Sequence, residues 1–217
     1  MKNLLYKEWK LARHPVVLIF PLFALMLLIP AYPYYVAFIY TCLEVFFIFL
    51  QGRETRDVFY TVTLPVAKRD VVKARVLFVV CIQLFQILIS VPFAFLGRAI
   101  NPNPGGNPVG IESNVAFFGF IFLMFGLFNL LFFPRFYKDG YSCGTGLLVA
   151  GSVTAVYILV LEVAVQAVPA LKAFLDVADG PSQLRQLPIL LAGMALYGLM
   201  TLGACKKSAK RFELVDL

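Results

Sequence analysis

From Pro15 to Leu50 the chain runs through 36 residues with one charged side chain, Glu44. As helix this stretch would be roughly 54 Å long at about 1.5 Å per residue, too long for one crossing of a bilayer core and just enough for two short ones. Its segment "IPAYPYY", Ile29 to Tyr35, holds two prolines near the middle, where a tight turn fits. Three later runs, Val76 to Leu96, Val115 to Phe133 and Cys143 to Val168, are each long enough to span. A fourth, Pro188 to Cys205, is slightly short but uncharged up to its end. The pattern predicts an all-α membrane protein with six crossings. Composition agrees: 14% of the 217 residues are charged and 61% hydrophobic, against roughly 25% charged in a soluble domain. Residues 1–217 make one transmembrane domain with short loops. The first apolar run follows a basic stretch and has no A-x-A site behind it, so no secretory signal is expected.

Charge sets the orientation. With the N-terminus inside, all but three of the 19 lysines and arginines fall on inner segments; only Arg98, Lys172 and Arg185 are outside. By the positive-inside rule both termini are cytoplasmic and the chain is a multi-pass protein of the cell membrane. The net charge of +7 is then a topology signal and an attraction to anionic lipid headgroups, because the cations are divided among loops and no nucleic-acid-binding module is present.

Soluble-type catalytic arrangements are missing. There is one histidine, His14, and no G-x-x-x-x-G-K-[ST], so the chain has no loop of its own to cradle ATP phosphates. The four cysteines, Cys42, Cys81, Cys143 and Cys205, lie in or beside apolar runs without C-x-x-C pairing and read as packing residues; no metal site is expected.

Three groups of residues carry polar chemistry. The opening "MKNLLYKEWKLARH", residues 1–14, is an amphipathic helix for the inner interface, with Trp9 at headgroup depth. Glu8 falls on its apolar half and needs a protein partner. Within the spans, Glu44, Gln83, Gln86 and Glu162, with Asn129, form either a polar translocation path or interhelical hydrogen-bond glue. Outside, "GRAINPNPGGNPVGIES", Gly97 to Ser113, is a loop without regular structure. The segment at residues 169–187 places Leu171, Phe174 and Leu175 on one face of a short surface helix, either a gate or a connector.

The largest inner loop, residues 53–73, lies within and beside "ETRDVFYTVTLPVAKRDVVKAR". Val58, Phe59 and Val62 share a helical face, which predicts a short helix from Arg53 to Thr63. Leu64 precedes Pro65 and is pushed away from helical geometry, so the chain turns there and a new helix starts toward the third span. Apolar knobs on a short cytoplasmic helix between two spans suit a groove in a soluble partner; the bland reading is a basic loop that only sets topology.

Four stretches, in chain order, resemble the ABC-2 type transporter permeases, specifically the short six-helix kind of phenol-soluble modulin and antimicrobial peptide exporters. They are "LLYKEWKLAR", the quoted inner loop with its central "LPVAKRD", "FPRFYKDGYSCG" and the closing "KKSAKRFELVDL". The resemblance implies a type V exporter-like fold. It also implies a permease dimer, homo- or heteromeric, on two copies of a separate ABC ATPase. ATP and Mg would be bound by that partner and not by this chain. It places Arg53, Arg56, Val58, Phe59, Val62, Leu64 and Pro65 at the ATPase, and makes Phe133 to Gly144, with Arg135, Phe136, Tyr137 and Lys138, the second inner loop. Cys205 to Lys207 closes the last span abruptly and the external loops are small, so cargo does not transfer from larger members. The function expected is ATP-driven export of an amphipathic substrate, a short peptide. Two other readings stay open: an ion-coupled secondary transporter using Glu44 or Glu162, and a membrane assembly protein that transports nothing.

Overall fold

A computed structural model describes residues 2–11, 17, 19–29, 31–101, 107–139, 143–177 and 180–215. The described residues are helical throughout their regular elements. Helix α1, Lys2–Leu11, is followed by a 3-10 helix, Phe20–Leu28. Then come α2, Tyr35–Glu54; α3, Asp57–Val62; α4, Lys68–Ile100; α5, Val115–Asp139; α6, Cys143–Ala167; α7, Pro169–Leu175; and α8, Gly180–Glu213. Five of these, α2, α4, α5, α6 and α8, are long and apolar enough to cross a membrane.

The expected first crossing differs. Its described part is the 3-10 helix, whose nine residues cover about 18 Å where an α-helix would cover about 14 Å. The longer rise gives this segment more reach per residue than an α-helix. It packs on α2 and α4 with Ala24 and Leu27 buried, and Phe23 stacks on Tyr40 of α2 at 4.0 Å between ring centroids. Ala12, Arg13, His14 and Pro30 lie outside the described residues, as do residues 102–106, 140–142 and 178–179.

Four expected boundaries are corrected. The helix predicted from Arg53 to Thr63 is two helices: α2 carries Arg53 to its end at Glu54, and Arg56 takes a left-handed conformation (φ 52°) that breaks the helix before α3. The second inner loop expected from Phe133 is helical as far as Asp139. Phe133, Phe136 and Tyr137 are buried, packed with Phe49 of α2, so aromatic packing carries α5 past Pro134. The helix of the last span does not end where the apolar run closes at Cys205 to Lys207; α8 continues to Glu213, where Phe212 packs on Tyr137 and the Glu213 carboxylate accepts from Arg69. At the other end α4 runs on to Ile100, four residues into the expected loop.

The core is aromatic. Phe38, Phe49, Phe117, Phe125, Phe128, Phe132, Phe133 and Phe136 are fully buried and meet edge-on or stacked. Helices α5 and α8 come into backbone contact where Gly119 and Gly193 face each other. A Cβ on Gly193 would lie 2.2 Å from the Gly119 carbonyl oxygen, so only glycine permits this crossing.

The basic segments gather at one end of the bundle. Lys68 of α4 donates to the Val215 carbonyl (2.7 Å), Arg211 of α8 to that of Pro134 (2.7 Å), and Lys7 of α1 meets α3. At the opposite end the loop before α5, the short helix α7 and the start of α8 are tied together. Asn114 caps α5, accepting from the Phe117 N–H (2.9 Å) and donating to the Val177 carbonyl (3.1 Å). Gln186 accepts from the Ala116 N–H and donates to the carbonyl of Phe174. These bonds tie the segment at residues 169–177 to the starts of α5 and α8.

Candidate coupling site

Helix α3 hangs between two spans and presents its aromatic face outward. Phe59 is 43% and Tyr60 66% exposed, with Leu64 and Pro65 exposed in the turn that follows. Val62, on the other side, packs against the core. Arg56 is exposed, and Arg53 pairs with its neighbour Glu54 (2.6 Å).

Beneath this face lies an ion cluster that draws on three helices. Arg75, at the basic end of α4, donates Nε–H to Glu8 of α1 (2.8 Å) and Nη2–H to Asp57 at the start of α3. Lys7 of α1 donates to Asp57 (3.0 Å) and to the Thr61 hydroxyl (2.8 Å), and Thr61 donates to the Asp57 carbonyl (2.7 Å). The side chains of Glu8 and Arg75 are 2% and 3% exposed. Two cations and two carboxylates cancel, so the cluster is neutral as a whole and its charges are tolerable only because each has a partner. Arg75 also lies over the Phe49 ring of α2 at 5.6 Å, and its Nη1 is pressed against Gly52, where a Cβ would meet it at 2.6 Å. For Asp57, burial acts to raise the carboxyl's proton affinity, but the guanidinium of Arg75 and the ammonium of Lys7 prevail and hold it below the ordinary value.

The cluster gives Glu8 its partner. Trp9, the next residue, is 62% exposed and meets Phe78 of α4 edge-on at 6.5 Å. Sequence reasoning missed Asp57 and Arg75 as a pair because both read as members of a basic loop. The only local signal was the carboxylate of Glu8 on an otherwise apolar helix face.

The intramembrane polar residues divide into two kinds. Gln83 and Asn129 exchange two hydrogen bonds (3.0 and 2.9 Å), Tyr197 donates to Gln83 (2.8 Å) and Asn129 to Thr201 (3.1 Å). This network joins α4, α5 and α8. Glu162 accepts from the Ile111 N–H (3.2 Å) and holds the loop before α5. By contrast Glu44, at the middle of α2, and Gln86 are buried without a hydrogen-bond partner among the described residues. Of the expected second inner loop, Phe136 and Tyr137 are buried, and Arg135 and Lys138 stay at the basic end. No group of three or more potential metal ligands occurs among the described residues.

The sequence profile described as ABC-2 family transporter protein matches residues 3–205. No curated protein and no solved structure matches significantly. The chain belongs to the ABC-2 family of transporter proteins: it is a multi-pass membrane permease of an ABC transporter, a component that works with an ABC ATPase.

Proposed function

We propose that the chain is the membrane subunit of an exporter in the cell membrane, with both termini cytoplasmic, and that α3 is the coupling helix on which a separate ATPase acts. The observation that carries this reading is the exposed pair Phe59 and Tyr60 on a helix clamped through Asp57 by ion pairs to Lys7 of α1 and Arg75 of α4. An aromatic face of this kind suits a groove in a soluble partner, and a push on it would pass through Arg75 into α4. The one-sided distribution of lysine and arginine supports the orientation. In this reading two permease chains, identical or related, sit on two ATPase copies. ATP and Mg are handled there, in keeping with the absence of a phosphate-binding loop from this sequence. Arg53, Arg56, Leu64 and Pro65 frame the contact, Val62 backs the helix from its core side, and the side chain of Val58 lies outside what the structure describes. The cargo is an amphipathic peptide.

The test is purification from native membranes as wild type and as Phe59→Asp. An ATPase that accompanies the wild type and is lost from the variant supports the reading; absence of an ATPase from the wild type overturns it.

A second reading rests on Glu44. A buried carboxylate at membrane depth without a partner among the described residues is costly, and such groups mark ion paths. Substrate efflux driven by a proton gradient without ATPase, and abolished by Glu44→Gln, would favour it. Glu162, the other carboxylate of this reading, accepts from the Ile111 N–H, and Glu162→Gln is the matching variant.

A further inference from the structure

At the basic end of the bundle a cleft of about 610 Å³ opens between α5, α6 and α8. Four cations line it: Arg135 and Lys138 from the last turns of α5, Lys207 and Arg211 from α8. Among the described side chains no carboxylate lines it. Two of the cations are fixed in place, since Arg135 donates to the Leu131 carbonyl (3.1 Å) and Arg211 to that of Pro134 (2.7 Å). The N-terminus of the 25-residue helix α6 lies at the same end, with Thr145 of its first turn on the wall, adding a partial positive charge.

The rest of the wall is apolar. Leu130, Leu131 and Val149 line the cleft, and α6 continues beyond it with Leu148, Val153 and Val156 exposed at membrane depth. Positive charge at the rim over a greasy wall matches an anionic head joined to an acyl chain, and a free anion would use only half of it. A second cleft of about 380 Å³ on the other side of α8 differs: it also gathers Arg69, Lys73, Lys206 and Lys210, but Glu213 lies among them and accepts from Arg69.

We propose that the cleft bounded by Arg135, Lys138, Lys207 and Arg211 binds the phosphate headgroup of an anionic phospholipid from the leaflet at that end. Basic pockets between membrane helices are suited to such headgroups. The site is separate from the coupling helix and is not needed for the reading given to it.

The test is native mass spectrometry of the full chain in detergent, titrated with phosphatidylglycerol or with phosphatidylcholine. Wild type should retain phosphatidylglycerol about tenfold more strongly. Lys138→Ala with Lys207→Ala should remove that preference, whereas Lys206→Ala with Lys210→Ala, equal in charge, should keep it. These lysines are exposed, and an unchanged size-exclusion profile identifies folded variants. Equal retention of the two lipids overturns the proposal, as does equal loss in both double variants. Displacement of the lipid by millimolar inorganic phosphate would make this a free-anion site, and loss of a co-purifying ATPase with lipid retention unchanged would make it a protein contact; either result also overturns it.

Discussion

Arg75 and Glu8 stand 67 positions apart in the chain and 2.8 Å apart in space, and through them the N-terminal helix is bonded to the base of a membrane span. Asp57 completes the junction by joining α3 to the same guanidinium. A movement of any one of α1, α3 and α4 therefore either carries the other two or breaks a buried ion pair.

Arg75→Met should leave two buried carboxylates with only Lys7 between them. Breaking a buried pair by removing one partner costs about 3–5 kcal/mol. The variant should melt well below wild type, and Glu8→Gln added to it should restore part of the loss, because a neutral amide no longer needs the guanidinium. Thermal melts of the four members of this cycle give the coupling; strict additivity would show that the pair is not formed.

Asp57 supplies a pH dependence whose sign is fixed. Its carboxyl is held below the ordinary value, near 3.9, so it contributes stability above that pH and loses it as pH falls through the folded value. Melts from pH 7 to pH 3 should show wild type falling away below about pH 4. Asp57→Asn should be weaker at pH 7 and flatter in acid. An equally steep acid loss in the variant would assign the effect to other groups.

Gly193→Ala should force α5 and α8 apart, since its methyl group would meet the Gly119 carbonyl oxygen. Overpacking costs about 1–3 kcal/mol or more. Gly198→Ala, on the same helix with open space at its Cβ, is the control and should melt like wild type. Equal behaviour of the two would show that the glycine contact does not set the spacing.

Gln83 and Gln86 share a helix face yet predict different phenotypes. Gln83→Leu removes a network member and should lower stability by about 0.6–2 kcal/mol, the range for hydrogen bonds between membrane helices. Gln86→Leu removes side-chain atoms that bond to no described residue and should not destabilise. A transport defect in Gln86→Leu without a change in melting would mark it as a path residue.

Hydrophobic length and charge are properties of contiguous residues, which is why the spans at Val76, Val115, Cys143 and Pro188 and the gathering of basic segments could be read from sequence. Helix ends are set by packing. Pro134, Arg135 and Lys138 look like a loop in one dimension, but Phe133, Phe136 and Tyr137 recur at helical spacing and are buried around Phe49. The 3-10 geometry at Phe20–Leu28 has no local signature in the sequence. The ion cluster was half legible. Glu8 demanded a partner, but nothing in the spacing of residues names Arg75 among the cations of its loop.

The central claim is that α3 is the surface on which the ATPase acts. A photoreactive phenylalanine analogue at Tyr60, activated in native membranes, tests it most directly. The account predicts a crosslinked product containing the ATPase subunit, weakened by Phe59→Asp. Crosslinking of the ATPase through Lys138 or Lys207, with Tyr60 labelling only lipid or the permease itself, would contradict it.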